Sequence, residues 1–536
     1  MPLRRLALAL ALALLPIAAV EARAQHASAT GVPTDTAAPP PLYGPALGSY
    51  TWPVTTTSPE AQAYFDEGVK LMYGYARTHA RPAFAEARRR DPACAMCWWG
   101  EAWSMGRYLN GAMRSEDAPA AHAAAQRAVE LAADAPPLER ALIRAMAARY
   151  EPEHTAEGRL RLDSAYAAAM AEAYDAHPGS HETAFLYADA LMLLEPRRGT
   201  WDVAKPSVAR IHDVLERALA DDPGHPGVCH AYIHATETTP RAGRAEACAE
   251  LLVTAIPGAS HLNHMPSHTF SRVGRWGDAV RANQVAWGSD LRAEEGTAVS
   301  IYPTHNLHML LFAASVDGQR EVAEAAARTL VPRMPDAVSL QALVHQRFGR
   351  WPEVLALDAP PAHALHHGLW HAARGYAHLR LGAADSAAAH LARADSIAAA
   401  APNLTFRGHA AASLLGIAGG ILRGELAAAA GDREKAIAAF AAAAELEDAL
   451  AYDEPEPLPF TARDWLGAAL LDAGRPADAE RVYREALDDR PRNGWSLLGL
   501  AQALRAQGRA GEADDAEREF RAAWARSDTR LDASRF

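Results

Sequence analysis

Four cysteines, Cys94, Cys97, Cys229 and Cys248, are all that 536 residues contain. An exported, oxidising setting permits disulfides, so Cys94-Ala-Met-Cys97 reads as a bridge between near neighbours, with redox chemistry or metal binding as alternatives. Trp98 stands where a c-type haem attachment needs histidine, which excludes haem at this motif. Lysine is almost missing, and the net charge of -12 is carried with arginine as nearly the sole cation. No basic stripe is left for a phosphate backbone, so nucleic acid is excluded as a partner. Alternating Val/Ile/Thr-rich stretches are absent, which argues against β-domains and for an all-α chain. No Gly-rich phosphate loop follows a strand, no nucleophile elbow occurs and His-Glu-x-x-His is missing; nucleotide-dependent and hydrolytic readings therefore have no support.

The first 24 residues, with Arg4 and Arg5 before an apolar stretch from Leu6 to Val20 and Ala22-Arg23-Ala24 behind it, have the pattern of a secretory signal cleaved near Gln25. No later apolar run reaches the roughly 18 residues of a membrane span. The expected product is periplasmic or secreted. Residues 25–58, rich in Pro, Thr, Ala and Gly, read as a flexible linker.

From Phe460 the sequence falls into a 34-residue frame. Gly467 and Ala479 take the small positions where paired helices cross, Tyr483 the large aromatic one, Ala486 the next small one and Pro491 the exit. Gly494, Ala501 and Ala513 continue it; Tyr64, Gly68, Leu71, Ala80, Phe84, Ala87 and Pro92 repeat it near the start, and Gly375, Ala387 and Ala394 and then Gly424, Ala436, Phe440 and Ala443 in between. This pattern resembles the tetratricopeptide repeat, which implies a right-handed α-solenoid whose helix pairs bury their apolar faces on one another. The divisions are 59–228, a His-rich centre at 229–345, and 346–526.

Eleven of the 23 histidines lie between His177 and His308. Turn signals at Gly243, Gly274 and Gly318 set units beginning near Cys229, Ser260 and Thr304. In that frame His230, His261 and His305 each take the second position, His264 and His308 the fifth, His268 the ninth, and Glu237 the ninth of its own unit. His230 and His234, and His264 and His268, are one helical turn apart, a spacing that lets two imidazoles reach one ion. Pro266 between the second pair predicts a kink that either splays or aims it. The candidate ligands are His230, His234, Glu237, His261, His264, His268, His305 and His308, more than one four-coordinate site takes. The surplus points to a second shell or to two ions. Imidazole-rich, thiol-poor donors in an exported protein favour copper or zinc. His177, His181 and Glu182 open another first helix at the groove edge. His363, His366, His367 and His371 form a smaller cluster, read as a solvated face.

Asp91-Pro-Ala-Cys-Ala-Met-Cys-Trp-Trp-Gly100, Cys229-His-Ala-Tyr-Ile-His-Ala-Thr-Glu237, His261-Leu-Asn-His-Met-Pro-Ser-His268, Tyr302-Pro-Thr-His-Asn-Leu-His308 and Asn493-Gly-Trp-Ser-Leu-Leu-Gly-Leu500 together resemble a group of exported bacterial tetratricopeptide proteins. The resemblance implies that the histidines belong to the type; it names no substrate. Two functions fit. In one, the groove holds a transition-metal centre, copper or zinc and conceivably dinuclear, of a metalloenzyme such as an oxidoreductase acting on a small molecule or peptide. In the other, the solenoid is a non-catalytic scaffold gripping a protein or peptide partner.

Overall fold

The computed structural model describes residues 39–196 and 199–536. The signal sequence read at 1–24, and the linker as far as residue 38, lie outside the described residues. From residue 59 onward the chain is a succession of helical hairpins, from Pro59–Tyr73 with Arg77–Arg90 to Gly494–Ala506 with Ala510–Ala523. The strands among the described residues are Thr405–Phe406 and His409–Ala410, a two-stranded hairpin. Each helix packs on its hairpin partner and on the next hairpin, the all-α solenoid that the repeat frame implies.

Glycines and aromatic rings explain the frame. A Cβ on Gly467 would meet the Tyr483 ring at 2.4 Å and one on Gly499 at 2.1 Å, so the ring is clasped between two helices that approach too closely for any side chain. Gly68 and Gly100 hold Phe84 in the same way, at 2.6 and 2.3 Å, and Gly424 meets Phe440 at 2.4 Å. The substitution Gly499→Ala is therefore expected to destabilise the protein by about 1–3 kcal/mol through overpacking, although alanine is the better helix former by ~1 kcal/mol. A urea midpoint equal to or above that of the parent would contradict this clasp.

Of the turn glycines used to set the register, Gly274 and Gly318 have φ of 75° and 73°, the left-handed helix exit that glycine adopts without strain, whereas Gly243 lies within the short 3-10 helix Ala242–Ala245. Register then holds to within a few residues. The units expected near Cys229, Ser260 and Thr304 begin with helices Pro226–Glu237, Ser260–His264 and Pro303–Val316.

Two parts of the chain differ from the sequence expectation. Residues 39–58 fall in the stretch read as linker, yet Leu47 is fully buried and Trp52 is 6% exposed. The Tyr43 amide donates to Glu67 at 2.7 Å and the Trp52 amide to Asp66 at 2.9 Å, so this stretch is packed chain despite its composition. No apolar run after residue 20 stands out in the sequence, yet helix Ala411–Ala429 is long and apolar enough to cross a membrane. It packs between neighbouring hairpins, with Leu414, Ile417, Ile421 and Leu422 inside.

The array also folds back on itself. Gly258 N donates to Ala46 O at 2.6 Å, and Tyr73 of the first helix reaches His230, 157 residues on. From the other side, Trp276 donates to Pro491 O at 2.8 Å and Trp495 to Ser315 O at 3.1 Å. The His-rich centre is thus held between the first and last repeats.

Candidate metal centre

Three repeat units, through four helices, supply most of the centre. Pro226–Glu237 carries His230, His234 and Glu237, and Cys229–Cys248 ties this helix to Glu246–Leu252 by a disulfide. The next unit is broken where expected. Pro266 has no N–H to continue the ladder, so Ser260–His264 ends and Pro266–Arg272 begins at once. The break aims the pair: the Nε2 atoms of His264 and His268 are 2.7 Å apart. Pro303–Val316 delivers His305, whose Nε2 lies 3.1 Å from that of His264.

The donor atoms form three groups, each with its ligand atoms within 4.8 Å of one another: His230, His234 and His261; His264, His268 and His305; and Glu237, His268 and Glu454. The two triads adjoin, with the ring centroids of His261 and His264 at 5.7 Å and of His234 and His268 at 5.9 Å. His305 is partly exposed; the other five imidazoles are at most 3% exposed.

Tautomers are fixed from behind. His230 Nδ1–H donates to Tyr73 O at 2.6 Å and His234 Nδ1–H to Glu237 Oε1 at 2.9 Å. His268 Nδ1–H donates to Glu237 Oε2. His264 Nδ1–H donates to Asn283 Oδ1 at 2.8 Å, the Asn283 amide being oriented by its own donation to Ala279 O at 2.9 Å. Nε2 is therefore the nitrogen that each of these four rings brings to its group. Buried His230 Nε2, and both ring nitrogens of His261, have no hydrogen-bond partner. Each such group costs about 1–3 kcal/mol when left so.

The lone pair of His264 Nε2 faces two further nitrogens but can accept one hydrogen. Two imidazoles on a tetrahedral ion, with bonds of ~2.0–2.1 Å, place their nitrogens ~3.3 Å apart. The observed 2.7 and 3.1 Å need only small ring rotations to reach that spacing.

Charge is distributed unequally. Burial opposes a proton on His268, but the carboxylates of Glu237 and Glu454 outweigh it and push the imidazole up to about 10. Burial and the His268 charge push His264 down to about 3. Burial likewise holds His230, His261 and His305 well below the usual range. The centre thus holds His268 as an imidazolium donating to Glu237 and His264, with His230, His261, His264 and His305 disfavoured as cations.

Several residues of the site carry no spacing signal in the sequence. Glu454 arrives from the loop before Ala462, 3.1 Å from His268 Nδ1. Arg407, from the β-hairpin turn, bonds Asp453 at 2.7 Å and Pro455 O at 3.0 Å and so fastens that loop. The Tyr75 ring stacks 5.3 Å from His261 and 5.8 Å from His234, and Tyr302 meets His261 edge-on at 5.2 Å. Both tyrosines have a left-handed backbone with φ of 58°, a strained conformation for a bulky residue that concentrates at functional sites. Tyr302 was within a motif of the resemblance; Tyr75 had no such signal.

Other expected residues lie elsewhere. His308 is in none of the three groups; its Nδ1 is 3.5 Å from Arg407, and burial pushes it down to about 3. Glu237 belongs to the third group, but its two oxygens already accept from His234 and His268, so it orients one imidazole of each triad. His181 pairs with Asp221 at 2.9 Å, and Glu182 accepts from Tyr50 at 2.9 Å, so neither joins the triads. Cys94 and Cys97 form a disulfide at the start of helix Ala95–Met105. A cavity of about 610 Å³ reaches His268 from outside, lined among others by Thr239, Arg272, Trp276, Phe312 and Glu454.

In comparison with known proteins, residues 470–526 match the family model described as Tetratricopeptide repeat. These residues lie beyond every histidine of the centre. No curated protein matches the chain. Among solved structures, the human IFIT1 dimer with m7Gppp-AAAA aligns over 88% of this chain and 91% of that one, at 13% identity and a TM-score of 0.31. The TPR domain of P58(IPK) aligns over 84% and 99%, at 12% identity and a TM-score of 0.23. The APC/C hetero-tetramer Cut9–Hcn1 aligns over 87% and 88%, at 13% identity and a TM-score of 0.24.

Proposed function

We propose that this protein is an exported helical-repeat metalloprotein whose two imidazole triads, His230/His234/His261 and His264/His268/His305, hold a pair of transition-metal ions. The observation that carries this reading is the set of four Nδ1–H bonds to Tyr73 O, Glu237 and Asn283. Metal-bound histidines characteristically donate their second ring N–H to a carboxylate or carbonyl, which fixes the tautomer and turns the other nitrogen to the ion. Neutral nitrogen donors without thiolates suit copper or zinc. The disulfides Cys94–Cys97 and Cys229–Cys248 accord with an oxidising, periplasmic location.

A bound ion would supply Lewis acidity or redox chemistry that the side chains lack. A small molecule or the end of a peptide could approach His268 through the adjoining cavity. Glu454 stands at that approach as a further carboxylate. A purely scaffolding use of this stretch fits less well, because residues at most 3% exposed offer a partner no surface to grip.

Elemental analysis of untagged protein is expected to find about two ions per chain, each triad leaving a further position for water or substrate. The double variant His264→Ala/His268→Ala should lose at least one of them. Substoichiometric metal in both samples would sink the proposal.

A further inference from the structure

The smaller histidine cluster is arranged otherwise than its sequence suggests. His366 turns inward, 5% exposed, with its Nδ1 on Ser339 Oγ at 2.7 Å. His371 instead meets a residue that reads in the sequence as a lone surface or hydrogen-bonded histidine: its Nδ1 lies 2.8 Å from Nδ1 of His390 on the facing helix, across the hairpin Ala364–Arg380/Ala384–Ala400. His367, one turn before His371 on the same face, stacks on it with ring centroids 4.8 Å apart, and His378 stacks on His390 at 5.2 Å. All four rings are partly exposed.

Two imidazoles with their Nδ1 atoms in contact are either a neutral hydrogen-bonded pair or a pair of ligands. As a hydrogen-bonded pair they gain little at a half-wet surface. As ligands they are within a few tenths of an ångström of the ~3.3 Å that two nitrogens adopt on one tetrahedral ion. Burial, the neighbouring histidines and the Arg374 charge push His371 and His390 down to about 4, which keeps the rings neutral at pH 7, the form that binds metal. Trp370 packs against His371 at 5.1 Å and His390 at 6.4 Å and backs the pair with a rigid wall.

We propose that this hairpin carries a second, solvent-facing site for a late divalent transition-metal ion, with His371 and His390 as the ligand pair and water completing the coordination. No carboxylate is among its donors, and Arg374 and Arg393 stand nearby, so the site binds weakly and exchanges readily with solution. That is the character of a loading site, in contrast to the enclosed triads. It does not depend on the triads being occupied.

The test is retention of the untagged full-length protein on immobilised nickel, a chelate too bulky to enter the buried triads, followed by calorimetric titration with free Ni(II). The parent should be retained. His371→Ala/His390→Ala should elute without imidazole and show at least about tenfold weaker Ni(II) binding, in line with the cost of losing metal-site partners. His264→Ala/His268→Ala should be retained like the parent, even if its tightly held metal is gone. Unchanged retention of His371→Ala/His390→Ala overturns the proposal, as does loss of retention confined to the His264→Ala/His268→Ala protein. Should the first double variant fail to fold, the single change His390→Ala at a partly exposed position decides: weaker retention is expected, and parental retention overturns the site.

Discussion

Replacing Glu237 by alanine is expected to weaken metal binding at both triads by about 10–100-fold and to destabilise the metal-free protein by about 3–5 kcal/mol, the cost of breaking a buried charge pair. One side chain has this reach because its two oxygens face opposite ways. Oε1 accepts from His234 of one triad and Oε2 from His268 of the other. Removal takes from the buried His234 Nδ1–H its acceptor, leaves the His268 Nδ1–H to Glu454 alone, and frees both rings to turn. It also strips His268 of the larger of the two charges that hold it protonated. Glu237→Gln is the sharper experiment. Its amide keeps one acceptor but turns an N–H toward the other imidazole, so one triad should be held and the other lost. Calorimetric titration with copper or zinc would then show one strong site where the parent shows two. Parental affinities in both variants would mean that Glu237 does not orient the ligands.

The second large effect is acid lability of the metal-free fold. Burial pushes His225 and His366 down to about 4, and His264 and His308 down to about 3, against about 6.5 in an unfolded chain. Between those values the unfolded chain binds protons that the native one refuses, so stability rises with pH through this window and is lost as pH falls below about 6.5. At about 1.4 kcal/mol per proton per pH unit, four such histidines give a slope of about 5 kcal/mol per pH unit at its steepest. His268 acts in the opposite sense. Its imidazole is raised to about 10, so its contribution is complete below about 6.5 and fades as pH climbs through 10. Stability of the metal-free protein should therefore peak near neutrality and collapse toward pH 5. Urea midpoints at pH 7.5, 6.5 and 5.5 after chelation test this; a flat acid limb would show that these rings are not buried neutral.

The helical class and the repeat frame were legible because they depend on local spacing. Gly467 and Tyr483, or Gly68 and Phe84, sit at fixed distances along the chain, and one ring clasped by close helices needs those residues at those distances. The histidine centre was legible to the extent that it repeats with the units. His230, His261 and His305 recur at one position of the frame, and the structure brings all three into the triads. His308 follows the same arithmetic and is drawn off by Arg407, because the next turn of Pro303–Val316 faces the β-hairpin.

What could not be read was everything delivered from a distance. Tyr73 and Tyr75 come from the first unit, Asn283 from the second helix of the His264 unit, and Glu454 from a loop more than 180 residues after His268. Leu47 and Trp52, in a stretch whose composition suggested a linker, are buried by chain that comes later. His390 reads in the sequence as a lone surface or hydrogen-bonded histidine, because no spacing along the chain shows that a facing helix supplies His371.

Sequence by itself determined an all-α repeat array and placed a run of imidazoles at equivalent positions within it, since both follow from periodicity along one chain. Only the tertiary structure decided that those imidazoles form two enclosed triads rather than one open wall. The closing contacts, from the first repeats, Asn283, Arg407 and the loop of Glu454, depend on how far the solenoid curls, and that is set by packing summed over many hairpins, which no local spacing encodes.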